Sequence, residues 1–152
     1  MHSAKIAAAV LLSACAAAGC STVRHYDANL PVNFSVDSNT DDVEATLNIF
    51  RADAQCRTDY LGTVELEGEH LELGIASGQP AYLVVGFSHS SFWGGTSGFT
   101  RYEVVLIPRE PYAYRMDVSY VDNIYNVELF EIDRATGGER LMRDEELQAC
   151  RG

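Results

Sequence analysis

Lysine is nearly absent from this chain. Its 152 residues hold one, Lys5, and the remaining positive charge rests on ten arginines set against 22 aspartates and glutamates. Beyond Lys5 the net charge is −12, and a surface of that sign repels phosphate backbones and anionic headgroups, which argues against nucleic-acid binding and against electrostatic adsorption to a membrane. Long apolar runs are missing too. The longest, Ile6–Ala18, falls short of the roughly 20 residues that a spanning helix needs. Catalytic equipment is equally sparse. Of four histidines, only His70 and His89 lie in the body of the chain, and neither has a His-Glu-x-x-His spacing. There is no Gly-x-Ser-x-Gly elbow and no phosphate-cradling glycine loop. Ser88-His89-Ser90 puts hydroxyls beside an imidazole, but neighbours on a strand point to opposite faces, so nucleophile and base do not meet. Glu65, Glu67, Glu69 and Glu72 read as a solvated face, with a glycosidase-type carboxylate pair left open. The expectation is a non-catalytic domain without a cofactor, and an envelope hydrolase is the alternative.

The N-terminus is informative. Met1–Lys5, the apolar stretch to Ala18 and the small residues before Cys20 form a processed export signal. Ala17-Ala18-Gly19-Cys20 resembles the lipobox of bacterial lipoproteins, which implies cleavage before Cys20, a thioether-linked diacylglycerol on its sulfur and acylation of the new amine. Leu12-Ser13-Ala14-Cys15 fits the same pattern, so Cys15 is the alternative anchor. Cys20 is preferred because cleavage before Cys15 leaves a signal with a short apolar core. It also leaves two further cysteines, Cys56 and Cys150, an even number suited to a disulfide in an oxidising compartment. Ser21 follows Cys20, where an aspartate retains many such lipoproteins in the inner membrane. The resemblance therefore implies the outer membrane, with attachment through the lipid and the domain on its periplasmic face.

The expected organisation is a signal over residues 1–19, a lipidated tether over 20–30 and one domain over 31–152. Ten tether residues reach at most roughly 35 Å. The domain reads as strands. Tyr112, Tyr114, Met116, Val118 and Tyr120 alternate with Ala113, Arg115, Asp117 and Ser119, a period of two that sorts apolar from polar faces. Val43–Ile49 alternates likewise, as do Tyr102, Val104 and Leu106 with Arg101, Glu103 and Val105 within a strand Phe99–Ile107, and strands are also expected at Val32–Val36, Tyr60–Glu67, Leu71–Ile75, Ala81–Ser88 and Ile124–Ile132. The nearly continuous apolar run Ala81–Phe87 suggests a central strand. Asp122-Asn123 tolerates positive φ and predicts a tight hairpin, while Asp144 is positioned to cap a short helical turn through Cys150. Seven to nine such strands predict an all-β fold, a single antiparallel sandwich of immunoglobulin-like or transthyretin-like type, with a small barrel as the alternative. With Leu47-Asn48-Ile49-Phe50-Arg51 and Pro111-Tyr112-Ala113-Tyr114, this arrangement is similar to small β-sandwich lipoproteins of Gram-negative bacteria.

Three segments are candidate sites. Asp37, Asn39 and Asp41 occupy the first three oxygen positions of a calcium loop, but Asp42 stands in place of the sharp-turn glycine and Asn48 in place of the bidentate glutamate. A turn between strands is the plainer reading. The connection Ser88–Gly98 holds the single tryptophan, Trp93, beside Phe92 and near three glycines. At eleven residues it is long for a hairpin loop, so Phe92, Trp93, Phe99 and Arg101 are candidates for binding an envelope protein. The alternative is that Phe92 and Trp93 fold back to plug the end of the sandwich. Finally, Ser97-Gly98-Phe99-Thr100-Arg101-Tyr102 resembles the Ser-Gly-x-x-Arg-Tyr loop of membrane-bound lysozyme inhibitors. Those proteins pair the loop with a Lys-Gly segment, and beyond the signal this chain has no lysine.

Overall fold

A computed structural model describes residues 23–40, 43–53, 55, 57–68, 70–89, 98–122 and 124–143. The described residues form nine strands: β1 (Phe34–Asn39), β2 (Glu44–Ala52), β3 (Thr58–Leu66), β4 (His70–Leu73), β5 (Ala81–His89), β6 (Gly98–Leu106), β7 (Tyr112–Val121), β8 (Ile124–Asp133) and β9 (Glu139–Leu141). They make two open sheets, a five-stranded one in the order β4-β1-β7-β8-β9 and a four-stranded one in the order β3-β2-β5-β6. The fold is a β-sandwich, and the sheets do not close into a barrel.

Alternation builds the core. Tyr114, Met116 and Val118 of β7 point inward beside Phe34 and Val36 of β1, and meet Leu47, Ile49, Leu83, Val85, Phe87 and Leu106 from the other sheet. β5 is internal, between β2 and β6. The β7–β8 hairpin pairs Val121 with Ile124 at its tip. Asp122 takes φ 52° there, a left-handed conformation that aspartate tolerates better than most residues.

Four expectations are corrected here. Pairing between the strands is antiparallel except between β1 and β7, which run parallel, and His25 adds an isolated parallel bridge to Thr63. A parallel neighbour requires a crossover, and here the whole four-stranded sheet is made between the two strands. The first strand starts two residues later than expected and runs on to Asn39. β9 was not foreseen, because its three residues are all exposed and show no alternation. The helical turn expected over Asp144–Cys150 lies outside the described residues, as do Cys15, Cys20, Cys56 and Cys150.

The fourth correction concerns the tether. The chain joins the domain well before residue 31, and Tyr26 belongs to the core at 7% exposure. Arg24 O accepts the amide of Thr63 at 2.8 Å, and Tyr26 N donates to Thr63 O at 3.0 Å. The Tyr26 hydroxyl then donates to Gly74 O at 2.6 Å, so one side chain spans from the edge of β3 to the end of β4 and shuts that side of the sandwich. Two glycines admit the segment. A Cβ on Gly62 would stand 2.5 Å from Tyr26 Cα, and one on Gly74 would stand 2.6 Å from Leu30 O. Asn33 completes the seam, its amide giving one hydrogen bond to Ile75 O and taking one from Ile75 N, both 2.8 Å. The segment is held by geometry that alternation cannot report.

Gly62→Ala should therefore expel the segment and cost about 2–4 kcal/mol, and Tyr26→Ala should cost about 3 kcal/mol. Because both act on one contact, the double variant should lose at least about 1 kcal/mol less than the sum. Urea unfolding of the four proteins measures this, and strictly additive losses would mean that Gly62 does not act through Tyr26.

Candidate functional site

The two solvent faces of the sandwich differ in chemistry. On the four-stranded sheet, the register sets side chains in cross-strand rows. Tyr60, Phe50, Tyr82 and Val105 form one row, and Thr63, Asn48, Val84 and Glu103 the next. Glu65, Thr46, Gly86 and Arg101 follow, and the last row pairs Glu44, Ser88 and Phe99. Phe50 lies 5.3 Å from Tyr60 and 5.5 Å from Tyr82 between ring centroids. Such tilted rings are the favourable geometry for aromatic pairs. Burial pushes the Tyr82 phenol up, and its hydrogen bond to Glu103 adds to the shift. At the far corner Phe99 is 68% exposed, its ring lying over Gly86 with its nearest atom 3.2 Å from where a Cβ would sit. Arg101 points to the same face and pairs with Glu103 at 2.8 Å.

The outer face of the five-stranded sheet is polar by contrast. His70, Asp37, Asp117 and Glu128 lie in one row, and Glu72, Ser35, Arg115 and Phe130 in the next. His70 Nδ1 meets Asp37 Oδ1 at 2.6 Å, and Nε2 lies 3.6 Å from Glu72. Arg115 gathers Asp117 at 2.9 Å, Glu139 at 2.7 Å and Asp37 at 3.8 Å. The hydrogen bond that His70 Nδ1 donates to Asp37 raises the His70 pKa most, with Glu72 adding to it.

This placement corrects the calcium reading. Asp37 and Asn39 lie within β1, in ladder with β4 and β7, so they form neither a turn nor a cation loop. Asp37 already binds His70, and Asp41 lies outside the described residues. Among the described residues, no group of three or more His, Cys, Asp or Glu side chains has metal-binding geometry.

The connection between β5 and β6 is shorter than expected, because Ser88, His89 and Gly98 belong to strands. Phe92 and Trp93 lie outside the described residues. The end of the sandwich at β5 and the β7–β8 hairpin holds its own aromatic cluster: His89 Nε2 is 2.7 Å from the Tyr125 hydroxyl, and Tyr120 stacks 4.8 Å from Tyr125. The segment resembling an inhibitor loop is not a loop from Gly98 onward. Gly98–Tyr102 is strand β6, and Arg101 is engaged with Glu103.

Two groups of residues escaped the sequence. Phe50 and Tyr82 sit at the polar parity of β2 and β5, and that misplacement was the available signal for an apolar outer face. Glu131 occupies the apolar parity of β8 and is 5% exposed. It binds Arg109 at 2.6 Å, Arg140 at 2.9 Å and the Tyr114 hydroxyl at 3.2 Å. Burial pushes its carboxyl up, but the bonds from Arg109 and Arg140 outweigh this and its pKa is lowered. A buried carboxylate held by two arginines is a fixed anion rather than a proton carrier at neutral pH.

The His70 contact gives a pH prediction. A group whose folded pKa is raised stabilises fully below its unfolded value and loses that contribution as pH rises through the folded value. Asp37→Asn should therefore cost more stability below the ordinary histidine value of 6.5 than well above it. Titration of the His70 ring by NMR should give a midpoint above that value, falling in the variant, and an unmoved midpoint would refute the contact. Comparison with known proteins finds no matching family model and no matching curated protein, so the use of these surfaces has to follow from their own geometry.

Proposed function

We propose that this protein is an envelope lipoprotein, lipidated on Cys20 and held at the periplasmic face of the outer membrane, whose β-sandwich works as a non-catalytic protein-binding module. The observation that carries the binding role is the outer face of the four-stranded sheet. A row of Tyr60, Phe50, Tyr82 and Val105 crosses all four strands, and the same face ends in the exposed Phe99 beside Arg101. Aromatic side chains and arginine are the types that carry binding energy at interfaces, because they present large area at small entropic cost. The opposite face spends its positions on ion pairs exposed to water, which contribute little to binding.

Lipidation is supported by the lipobox resemblance, and the docked segment gives it a consequence. Arg24 is bonded to Thr63, so only four residue steps separate the domain from Cys20, at most about 14 Å. The β3 edge is then the part of the domain nearest the bilayer. Three acyl chains, each methylene contributing about 0.8 kcal/mol, would hold it there stably. A bridge between Cys56 and Cys150 belongs to the same reading, since an exported chain meets oxidising conditions.

Two measurements test the proposal. Cys20→Ser should release the domain from membranes or leave an uncleaved precursor. The same result from Cys15→Ser, with Cys20→Ser unaffected, would move the anchor to Cys15. A photo-crosslinking amino acid at Phe99 should capture protein in intact cells, and one at Ser119 on the opposite face should not. Phe99→Ala should change stability by less than about 1 kcal/mol. Equal capture from both faces would remove the binding role from this sheet.

A further inference from the structure

The carboxylates of the two outer faces are not balanced in the same way. On the five-stranded sheet Asp37, Glu72, Asp117 and Glu139 each meet His70 or Arg115. On the four-stranded sheet Arg101 takes Glu103 and Arg51 takes Asp59, while among the described residues Glu44, Glu65 and Glu67 have no ion pair. A cleft of about 480 Å³ opens there, lined by these three carboxylates with Thr40, Thr46 and Gly68. Ser88 Oγ donates to Glu44 at 3.4 Å, longer than a normal hydroxyl hydrogen bond. The rest of the mature chain offers little to complete the balance. Positions 41, 42 and 69 are acids, 90–97 carry no charge, and 144–152 hold three acids and one arginine. A small metal ion does not fit either, since among the described residues no three His, Cys, Asp or Glu side chains have metal-binding geometry. The counter-charge has to arrive on a longer, flexible group. Thr46 lies on β2 between Glu44 and Phe50, so the cleft and the aromatic row share one face. Four strand residues, about 13 Å, separate Thr46 from the row.

We infer that this face binds a basic polypeptide segment, whose arginine or lysine side chain enters the cleft among Glu44, Glu65 and Glu67 while its apolar side chains rest on the row of Phe50, Tyr60 and Tyr82. The inference rests on the reading of this face as a binding surface, and it names the chemistry of the partner. Charge complementarity selects that partner. A carboxylate covered without a cation loses its water for nothing, so a neutral or acidic segment laid over the face would bury Glu44 and Glu65 at a loss. A second copy brings a net charge of −12 of its own, and an anionic lipid surface is repelled in the same way. A guanidinium or ammonium group in the cleft gives the carboxylates charge-assisted hydrogen bonds. Further cationic side chains can lie over the phenylalanine and tyrosine rings.

The test uses three synthetic peptides of about eight residues, long enough to reach from the cleft to the row. All carry leucine and tryptophan at one end, and the other end carries a pair of arginines, of glutamines or of glutamates. Each is titrated against the full mature chain in uncharged detergent and followed by fluorescence anisotropy. The arginine peptide should bind about tenfold more tightly than the glutamine peptide, and the glutamate peptide should be weakest. Glu44→Gln with Glu65→Gln should remove most of that preference. Glu110→Gln with Glu128→Gln removes the same charge from the β6–β7 connection and the opposite face and should leave the preference intact, which separates the cleft from net charge. Tyr82→Thr, shown to be folded by its urea midpoint, should weaken all three peptides by one factor and keep the preference.

Equal binding of the arginine and glutamate peptides overturns the inference, as does a preference that the two double variants reduce equally. Self-association abolished by Phe99→Ala would give the face to a second copy and overturn it too. Arginine-peptide binding that appears only after removal of residues 144–152 would give the face to the chain's own end, with the same result. Capture at Phe99 of a segment without arginine or lysine keeps the proposed function and sinks the basic partner. Equal capture from both faces removes the binding role itself, and this inference falls with it.

Discussion

An open two-layer sandwich leaves four rows of backbone N–H and C=O groups at its strand edges, and each row must be paired, shortened or left to water. In this protein that constraint organises the rest. Two edges are kept too short to template anything, β4 and β9. The β3 edge is closed by the chain's own N-terminal segment, which requires glycine at 62 and 74 so that the backbones can approach. Tyr26 then carries the seam from β3 across to Gly74. The residues from Arg24 to Leu30, which alternation would assign to a tether, are thus structural.

The second organising fact is the division of labour between the two outer faces. On the five-stranded sheet, cross-strand neighbours are acids, a histidine and Arg115, arranged so that opposite charges touch. In a chain with so large an acidic excess, this is how carboxylates are placed side by side without strong repulsion: Arg115 serves three of them and His70 two. On the four-stranded sheet the same net charge is met differently. Glu44, Glu65 and Glu103 stand apart on separate strands, and the middle of the face is given to Phe50, Tyr82 and Val84.

Much of the fold was legible because it depends on period-two patterning. Tyr112–Tyr120 reads as one inward and one outward set, and the structure places Tyr114, Met116 and Val118 in the core. Asp122-Asn123 reads as a turn, and Asp122 takes the left-handed conformation it tolerates. What was illegible depends on contacts distant in sequence. The parallel pairing of β1 with β7 joins Phe34 to Tyr114, and nothing local reports it. Asp37 and Asn39 resemble a cation loop locally but belong to a ladder fixed by those same distant strands. Glu131 breaks alternation in β8 and is tolerated inside because Arg109 and Arg140 arrive from elsewhere. Of the candidate site, Phe99 and Arg101 were found through their place after a long connection. Phe50, Tyr60 and Tyr82 were missed because each is unremarkable alone and meaningful only once register aligns them.

Register also sets the relation between the N-terminal segment and the aromatic face. β3 and β6 are opposite edges of one four-stranded sheet, three inter-strand spacings or about 14 Å apart. The N-terminal segment bonded to the first edge leaves the second on the side away from it. The face between them carries the aromatic row, beginning at Tyr60, whose hydroxyl donates to Arg24 O at 3.3 Å, and ending at Val105 of β6. The N-terminal segment therefore does more than seal the sandwich. By bonding to Thr63 it occupies one of the two long edges of the four-stranded sheet, and with Tyr26 packed on Gly62 it fixes where the chain enters the domain.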